Sequence, residues 1–342
     1  MKNSIIFISN AFGGIKTFQD ILIKFIIKKN VECILVDEKQ FKKYKKDKLR
    51  FYKINVLKEV SKTFKILKKI NKENKHKNKI FIFSNPIIFI IYFLYIKLYF
   101  NNNKIFFFAH SHLTKKGILF YLFTFLSGIF FLCCNKIFYV SKFTKKYWVK
   151  KYFFPKFAKD KIQYNSIEPV NKINKSYKGK FRIGFVGRAE KEKGLKRFLE
   201  IANENKDSFI FNIFSSNKIS LNNRQTKYIN FFLNKDASII YKSIDLLLVT
   251  SPTENCPFSV LEAKSYGIPS LVYLTKGGIG EIVKNNYDGI VINSDKNKIG
   301  VIDYINKIKF NYKFFSRNAY INSKKYNANI KIPKLIESEL LK

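Results

Sequence analysis

The stretch LLLVTSPTENCPFSVLEAKSYGIP, Leu246–Pro269, contains a strand, a turn and a helix in direct succession. The apolar run Leu246–Thr250 reads as a buried strand, which Ser251 and Pro252 end. Pro257 suits the first turn of a helix, where a backbone N–H would have no partner anyway. That helix is expected to run to about Tyr266, before Gly267 and Pro269 stop it. Glu254 falls in the loop and Glu262 inside the helix. Both can face the crevice beyond the strand, and the free N–H groups near Phe258 and Ser259 would point at an anion lying between them. Taken alone, the two glutamates read equally well as a helix-start charge and an ordinary surface residue.

The same strand–turn–helix order recurs outward from this stretch. Ile5–Ser9 reads as a strand, followed by Gly13 and Gly14, a helix over about Thr17–Lys29 and a strand at Glu32–Val36. Further strands are expected at Ile80–Phe83, Lys104–Phe108 and Lys136–Val140. A second series begins with Arg182–Val186, its loop Gly187–Gly194, a helix over Leu195–Asn205 and a strand at Phe209–Phe214. Repeated β-α-β units give a parallel sheet covered by helices, with ligands bound beyond the carboxyl ends of the strands. A chain of 342 residues accommodates two such domains. The polar stretch NKINKSYKGK, Asn171–Lys180, reads as the linker between them.

Composition narrows the partners. Sixty-five Lys and Arg against 24 Asp and Glu give a formal charge of +41, which attracts anions. Only six of the 65 are arginine, so part of the excess reflects a Lys-, Ile-, Asn- and Phe-rich composition of the kind an AT-rich genome produces. The 46% hydrophobic fraction excludes a disordered chain. Cys33, Cys133, Cys134 and Cys256 show no C-x-x-C pair or metal-ligand spacing, which fits a reducing, cytoplasmic setting. The amino terminus, MKNSIIFISNAFGG, reads as a first strand rather than a secretory signal. Two apolar stretches, 86–100 and 117–135, are near the length of a membrane span. Set between strands of a sheet, they read instead as buried helices or as helices touching a membrane interface.

Three further motifs carry chemistry. FVGRAEKEKGLKRF, Phe185–Phe198, places Arg188 and Lys193 on the loop between a strand and its helix, where two cations and a helix N-terminus can cradle a diphosphate. FFFAHSHLTKKG places His110 and His112 directly after a strand, where an imidazole can donate to or accept from a sugar hydroxyl. No third ligand stands near enough in sequence to make this a metal site. Gly13 and Gly14 let backbone approach a phosphate. Each motif alone also fits a solvated loop or turn.

In combination the chain resembles the family-4 retaining glycosyltransferases of the GT-B fold. The resemblance rests on Gly13–Gly14, HSH, YVSKFTKKY (Tyr139–Tyr147), YNSIEP (Tyr164–Pro169), GRAEKEKG, the E-x7-E of TENCPFSVLEAKSYGIP, and GGIGEIVKNNYDGIVI (Gly277–Ile292). It implies an α/β protein of two Rossmann-like, doubly wound domains facing each other across a cleft. The expected division is an acceptor-side domain over 1–168, a linker over 169–180, a nucleotide-sugar domain over 181–310, and a helical segment over 311–342 packing back on the first domain. Arg188 and Lys193 would bind the donor diphosphate, with the N–H groups of Phe258 and Ser259. Glu262 would hold the ribose hydroxyls and Glu254 those of the transferred sugar, while His110 would lie near the anomeric carbon and Gly14 would approach the phosphate. The resemblance implies retention of configuration, no cofactor and no metal, since protein charges would stabilise the leaving diphosphate.

The expected partners are a nucleotide-sugar donor, a glycan or lipid-linked acceptor of surface polysaccharide synthesis, and an anionic membrane surface on the cytoplasmic side; no nucleic acid is expected. A nucleotide-sugar 2-epimerase and a non-enzymatic basic binding protein are the alternatives. One departure stands inside the opening stretch: Asn255 follows the first glutamate where the family usually has glycine.

Overall fold

A computed structural model describes residues 3–38, 49–101, 103–110, 128–151, 160–173, 179–219, 225–293 and 300–341. The chain divides into two units, 1–164 with 328–342, and 165–327. In the first unit a seven-stranded sheet is built from β1 (Asn3–Ile8), β2 (Glu32–Asp37), β3 (Leu49–Lys53), β4 (Asn78–Phe83), β5 (Asn103–Ala109), β6 (Lys136–Tyr139) and β7 (Asp160–Ile162), in the order β3-β2-β1-β4-β5-β6-β7. Every neighbouring pair is parallel. Its central strands are near-continuous apolar runs because helices cover both of their faces: Ile5, Ile6, Phe7 and Ile8 are all buried. The helices are α1 (Gly13–Lys28), α2 (Val60–Glu73), α3 (Pro86–Tyr99), α4 (Lys142–Lys151) and, later in the chain, α11 (Ala328–Leu335); residues 128–132 are also helical.

The second unit repeats the plan. Its sheet holds β8 (Arg182–Val186), β9 (Ile210–Ser215), β10 (Ile229–Leu233), β11 (Leu246–Val249), β12 (Ser270–Tyr273) and β13 (Gly289–Ile292), in the order β10-β9-β8-β11-β12-β13 and parallel throughout. Its helices are α5 (Leu195–Glu204), α6 (Ala237–Lys242), α7 (Phe258–Ser265), α8 (Ile279–Ile282), α9 (Val301–Phe310) and α10 (Tyr312–Ser323). In both sheets the strand order reverses beside the first strand, at β1/β4 and at β8/β11. Loops leave the two strands in opposite directions there and open a crevice, the usual ligand site of doubly wound sheets. Both units are therefore Rossmann-like, as expected.

The division differs from the expected one in three places: first, the amino-terminal unit ends at 164 rather than 168, so Asn165–Glu168 belong to the second unit. Residues 169–173 do not stand apart as linker: Ile173 N–H donates to the Tyr266 carbonyl at 3.2 Å, and Ile167 N–H to that of Tyr326 at 2.9 Å, which pins the strand-like passage to the second unit. Of the segment 311–342, only 328–342 belongs to the first unit. Helix α10 stays with the second because Phe315 and Ala319 bury their side chains in it and Asn322 donates to the buried Asp288 carboxylate.

Among the described residues no helix is long and apolar enough to cross a membrane. The stretch 86–100 is a single 14-residue helix, α3, capped by the Asn85 side chain and started by Pro86. Most of the stretch 117–135 lies outside the described residues.

Candidate functional site

The two loops at the β8/β11 switch point and the helix α7 that follows the second hold five of the six expected donor-binding residues, together with Glu254. The first leaves β8 at Gly187 and returns through a 3-10 turn at Lys191–Lys193 to Gly194, which caps α5. Gly194 has φ +70°, and a Cβ there would stand 2.1 Å from the Thr250 carbonyl oxygen at the end of β11. Only glycine lets the loop press so closely on the neighbouring strand. The Thr250 hydroxyl donates to the Gly194 carbonyl at 2.9 Å and fixes that approach.

The result is that Lys193 and Glu254 meet. Lys193 Nζ lies 2.6 Å from Glu254 Oε1, and the Glu254 side chain is only 10% exposed. The Glu254 backbone is held from the other side by Gly277, whose Cβ would fall 1.9 Å from the Glu254 carbonyl oxygen. A parallel bridge between Thr253 and Lys276 lies alongside. Asn165, from YNSIEP, donates through Nδ2 to the Cys256 carbonyl at 2.7 Å and anchors the far end of the same loop. The site thus contains three residues that pattern reading left without a role: Asn165, Gly277 and Thr250. GGIG and YNSIEP were visible as motifs, but which backbone atom each would touch depends on the tertiary contact.

Asn255 fits without strain. The described non-glycine residues with positive φ are Asn30, Asn234 and Asn286, so the backbone after Glu254 makes no demand for glycine. Arg188 is engaged within its own loop, 2.6 Å from Glu190 and 3.8 Å from Glu192. Arg188 was expected to face the same point as Lys193, but the two cations pair with different carboxylates.

Helix α7 follows. Pro257 supplies its N-cap without a side-chain cap, and the first bond along the helix is Leu261 N–H to the Pro257 carbonyl at 3.3 Å. The N–H groups of Phe258 and Ser259 thus belong to the uncapped first turn, the positive end of the helix. The helix ends in a Schellman motif, with Ile268 N–H on the Ala263 carbonyl at 2.8 Å, Gly267 N–H on that of Lys264 at 2.9 Å, and Gly267 at φ +74°. On the face toward the sheet, Lys264 Nζ lies 2.7 Å from Asp288 Oδ2, both side chains being fully buried. Such a pair orients α7 against the turn before β13, and removing either partner would leave a buried charge.

Glu262 is held by Tyr241. The Tyr241 hydroxyl lies 2.9 Å from Glu262 Oε2 and 3.0 Å from the Ser259 carbonyl, and it has one proton to give. Burial pushes the Glu262 carboxyl up to about 7, against which the tyrosine hydrogen bond acts. Burial also raises Tyr241 well above its ordinary value and keeps it a neutral donor. When Glu262 is ionised the phenol proton serves the carboxylate. When Glu262 is protonated it donates to the phenol oxygen, and the phenol serves the Ser259 carbonyl.

Gly14 and His110 belong to the first unit. Gly13 opens α1 at φ +56°, directly beyond β1, and Gly14 is exposed in the first turn. Beneath them Ser9, Gln19 and the buried Asp37 form a hydrogen-bonded group that also receives Ala11 N–H at 3.2 Å. His110 follows β5, its ring 4.8 Å from that of Phe18. Burial lowers its pKa to about 3, so the imidazole is neutral. His112 lies outside the described residues. Among the described residues, no group of three or more His, Cys, Asp or Glu side chains is placed to hold a metal ion.

Two parallel, doubly wound units with these loops at the switch point define the GT-B class. Residues 166–326, nearly the whole second unit, match the model of the family Glycosyl transferases group 1. The fold is shared with a glycosyltransferase from Rickettsia africae ESF-5 (TM-score 0.78, 18% identity, covering 100% of this chain and 99% of that one). It is also shared with the sucrose-phosphate synthase of Thermosynechococcus elongatus (TM-score 0.80, 11% identity, 98% of each chain). The Anabaena protein HepE in complex with UDP is similar at a TM-score of 0.77 and 12% identity, over 99% of each chain. In sequence, 200 residues are 26% identical to an uncharacterised 41.2 kDa protein in the cps region of Klebsiella pneumoniae, covering 52% of this chain and 55% of that protein. The matched stretch spans about half the length of that relative.

Proposed function

We propose that the chain is a retaining glycosyltransferase that moves a sugar from a nucleotide-sugar donor to a glycan or lipid-linked acceptor in the synthesis of a surface polysaccharide, a capsule or lipopolysaccharide. One observation carries the reading: at the β8/β11 switch point the half-buried Lys193, on the β8–α5 loop, pairs with the buried Glu254 on the loop that leads into the uncapped N-terminus of α7. A cation beside free N–H groups suits a diphosphate, and a carboxylate beside that cation suits the hydroxyls of the sugar the diphosphate carries. On donor binding, Lys193 would turn from Glu254 to the diphosphate and Arg188 from Glu190 and Glu192, freeing Glu254 to accept from the sugar. Glu262, steadied by Tyr241, would accept from the ribose. Gly14 and the neutral His110 would meet the donor from the first unit.

Negative charge grows on the departing diphosphate as the glycosidic bond breaks, and Lys193, Arg188 and the α7 N-terminus would stabilise it there. In this reading no metal and no cofactor takes part, and the leaving phosphate accepts the proton of the attacking hydroxyl. The cps-region relative supports the polysaccharide setting, and HepE in complex with UDP supports a nucleotide-bound donor. The protein would work in the cytoplasm, on the inner face of the plasma membrane.

A thermal-shift screen of the full chain against UDP-, GDP-, ADP- and CMP-linked sugars tests the reading. A ligand specific to the folded state at 100 times its Kd stabilises by about 2.7 kcal/mol, a shift of several degrees. One class of donor is expected to raise Tm; no shift with any of them would overturn the proposal.

A further inference from the structure

Helix α3 is apolar on every side except at Lys97, exposed in its last turn. Ile88, Phe89, Tyr92, Phe93 and Ile96 face the core of the first unit and are buried. The opposite stripe, Ile87, Leu94 and Leu98, recurs at helical spacing and faces water, with Leu94 54% and Leu98 74% exposed, while Ile91 between them is half-buried. The stripe is flanked on both sides. Residues 128–132 pack beside it through Phe131, stacked on Phe89 at 4.7 Å, and present the exposed Ile129 and Leu132. On the other side α2 packs through Phe64, 4.6 Å from Tyr95. Between α2 and α3 runs a groove of about 570 Å³ lined by Val60, Phe64, Tyr95, Lys65 and Lys68. Among the described residues Lys65 and Lys68 form no ion pair, and both are exposed.

An apolar ridge with lysines along one border has the make-up of a surface that inserts among lipids while its charges meet anionic headgroups. A helix of 14 residues is about 21 Å long, too short to cross a hydrocarbon core of about 30 Å, so it would lie in the plane of the interface. We infer that the outer face of α3, with Ile129, Leu132 and the α2 lysines, docks the first unit on an anionic lipid bilayer, Leu94 and Leu98 entering the acyl boundary and Lys65 and Lys68 contacting headgroup phosphates. The inference deepens the lipid-linked reading of the acceptor, but it rests on this surface and not on the chemistry of the second unit.

The test is flotation of the full chain with vesicles of phosphatidylcholine, and of phosphatidylcholine containing about one-third phosphatidylglycerol. The wild-type chain is expected to float with the anionic vesicles and to be released by high salt. Leu98→Glu, and the pair Leu94→Glu with Leu98→Glu, should lower that partitioning about tenfold or more, as should Lys65→Glu with Lys68→Glu. Each variant's melting temperature and its nucleotide-induced thermal shift should stay as in the wild type, which separates loss of docking from loss of fold or of the donor site. Because Leu98 is mostly exposed, the single variant keeps the test open if the double one fails to fold. Equal binding to both vesicle types, unchanged flotation of Leu98→Glu, or a dimer in solution that Leu98→Glu dissociates without any vesicle binding would each overturn the inference, the last by showing that a second copy covers the face.

Discussion

Glu262 gives the site a pH signature of its own. Its carboxyl is raised to about 7, above its unfolded value, because it is buried, so the folded chain binds the proton more tightly than the unfolded one. Its own contribution to stability is therefore expected to fall as pH rises from about 4.5 through about 7, the reverse of an ordinary ion-paired carboxylate. The buried neutral His110 acts in the opposite sense below about pH 6.5, so the Glu262 contribution is read as a difference: between pH 5 and pH 8 the stability change in urea melts should differ by on the order of 2 kcal/mol between the wild type and Glu262→Gln, the wild type losing more toward high pH. An identical pH dependence in the variant would remove Glu262 as its source. At this scale the sequence was informative about identity and poor about partners. Glu254, Glu262, Arg188 and Lys193 stood out as charged residues in strand-to-helix loops. That Lys193 pairs with Glu254, that Arg188 turns to Glu190 and Glu192, and that Tyr241 holds Glu262 depend on side-chain directions that spacing does not encode.

The elements that frame the site are held by close backbone approach. Gly194 against Thr250 and Gly277 against Glu254 leave no room for a methyl group, and Gly194 adds a left-handed φ. Gly194→Ala is expected to cost about 1–3 kcal/mol in a denaturant melt, through overpacking together with strain at that φ, and to weaken nucleotide binding as Lys193 shifts. A melt unchanged within error would contradict the tight packing of the loop on β11. The strands that periodicity revealed were the buried central ones, whose runs are uniformly apolar. Edge strands β3, LRFYK, and β7, DKI, escaped because one side is paired and the rest is wet, leaving lysine-rich sequences that read as loops. Strand β10, INFFL, at one edge of the second sheet, was likewise not among the expected strands.

For the whole molecule, two β-α-β series were legible because the alternation of short apolar runs and helices survives a strong lysine bias. The domain boundary was less so: 169–173 looks like linker by composition, yet the hydrogen bond from Ile173 to Tyr266 ties that passage to the second unit. Helix α11 returns to the first unit, where Glu337 pairs with Lys29, and Glu339 pairs with Lys136 and with Lys161 (2.5 Å in the last case). Such long-range pairs have no local signature.

The account turns on the second unit as a nucleoside-diphosphate site. Calorimetric titration of the full chain with UDP, GDP, ADP and CDP, and with the corresponding monophosphates, tests this most directly, with Lys193→Ala and Arg188→Ala alongside the wild type. The account predicts that one diphosphate binds more tightly than its monophosphate, and that each substitution weakens it about tenfold or more, at least 1.4 kcal/mol, with the fold intact. Failure of every diphosphate to bind, or an affinity that neither substitution changes, would contradict it.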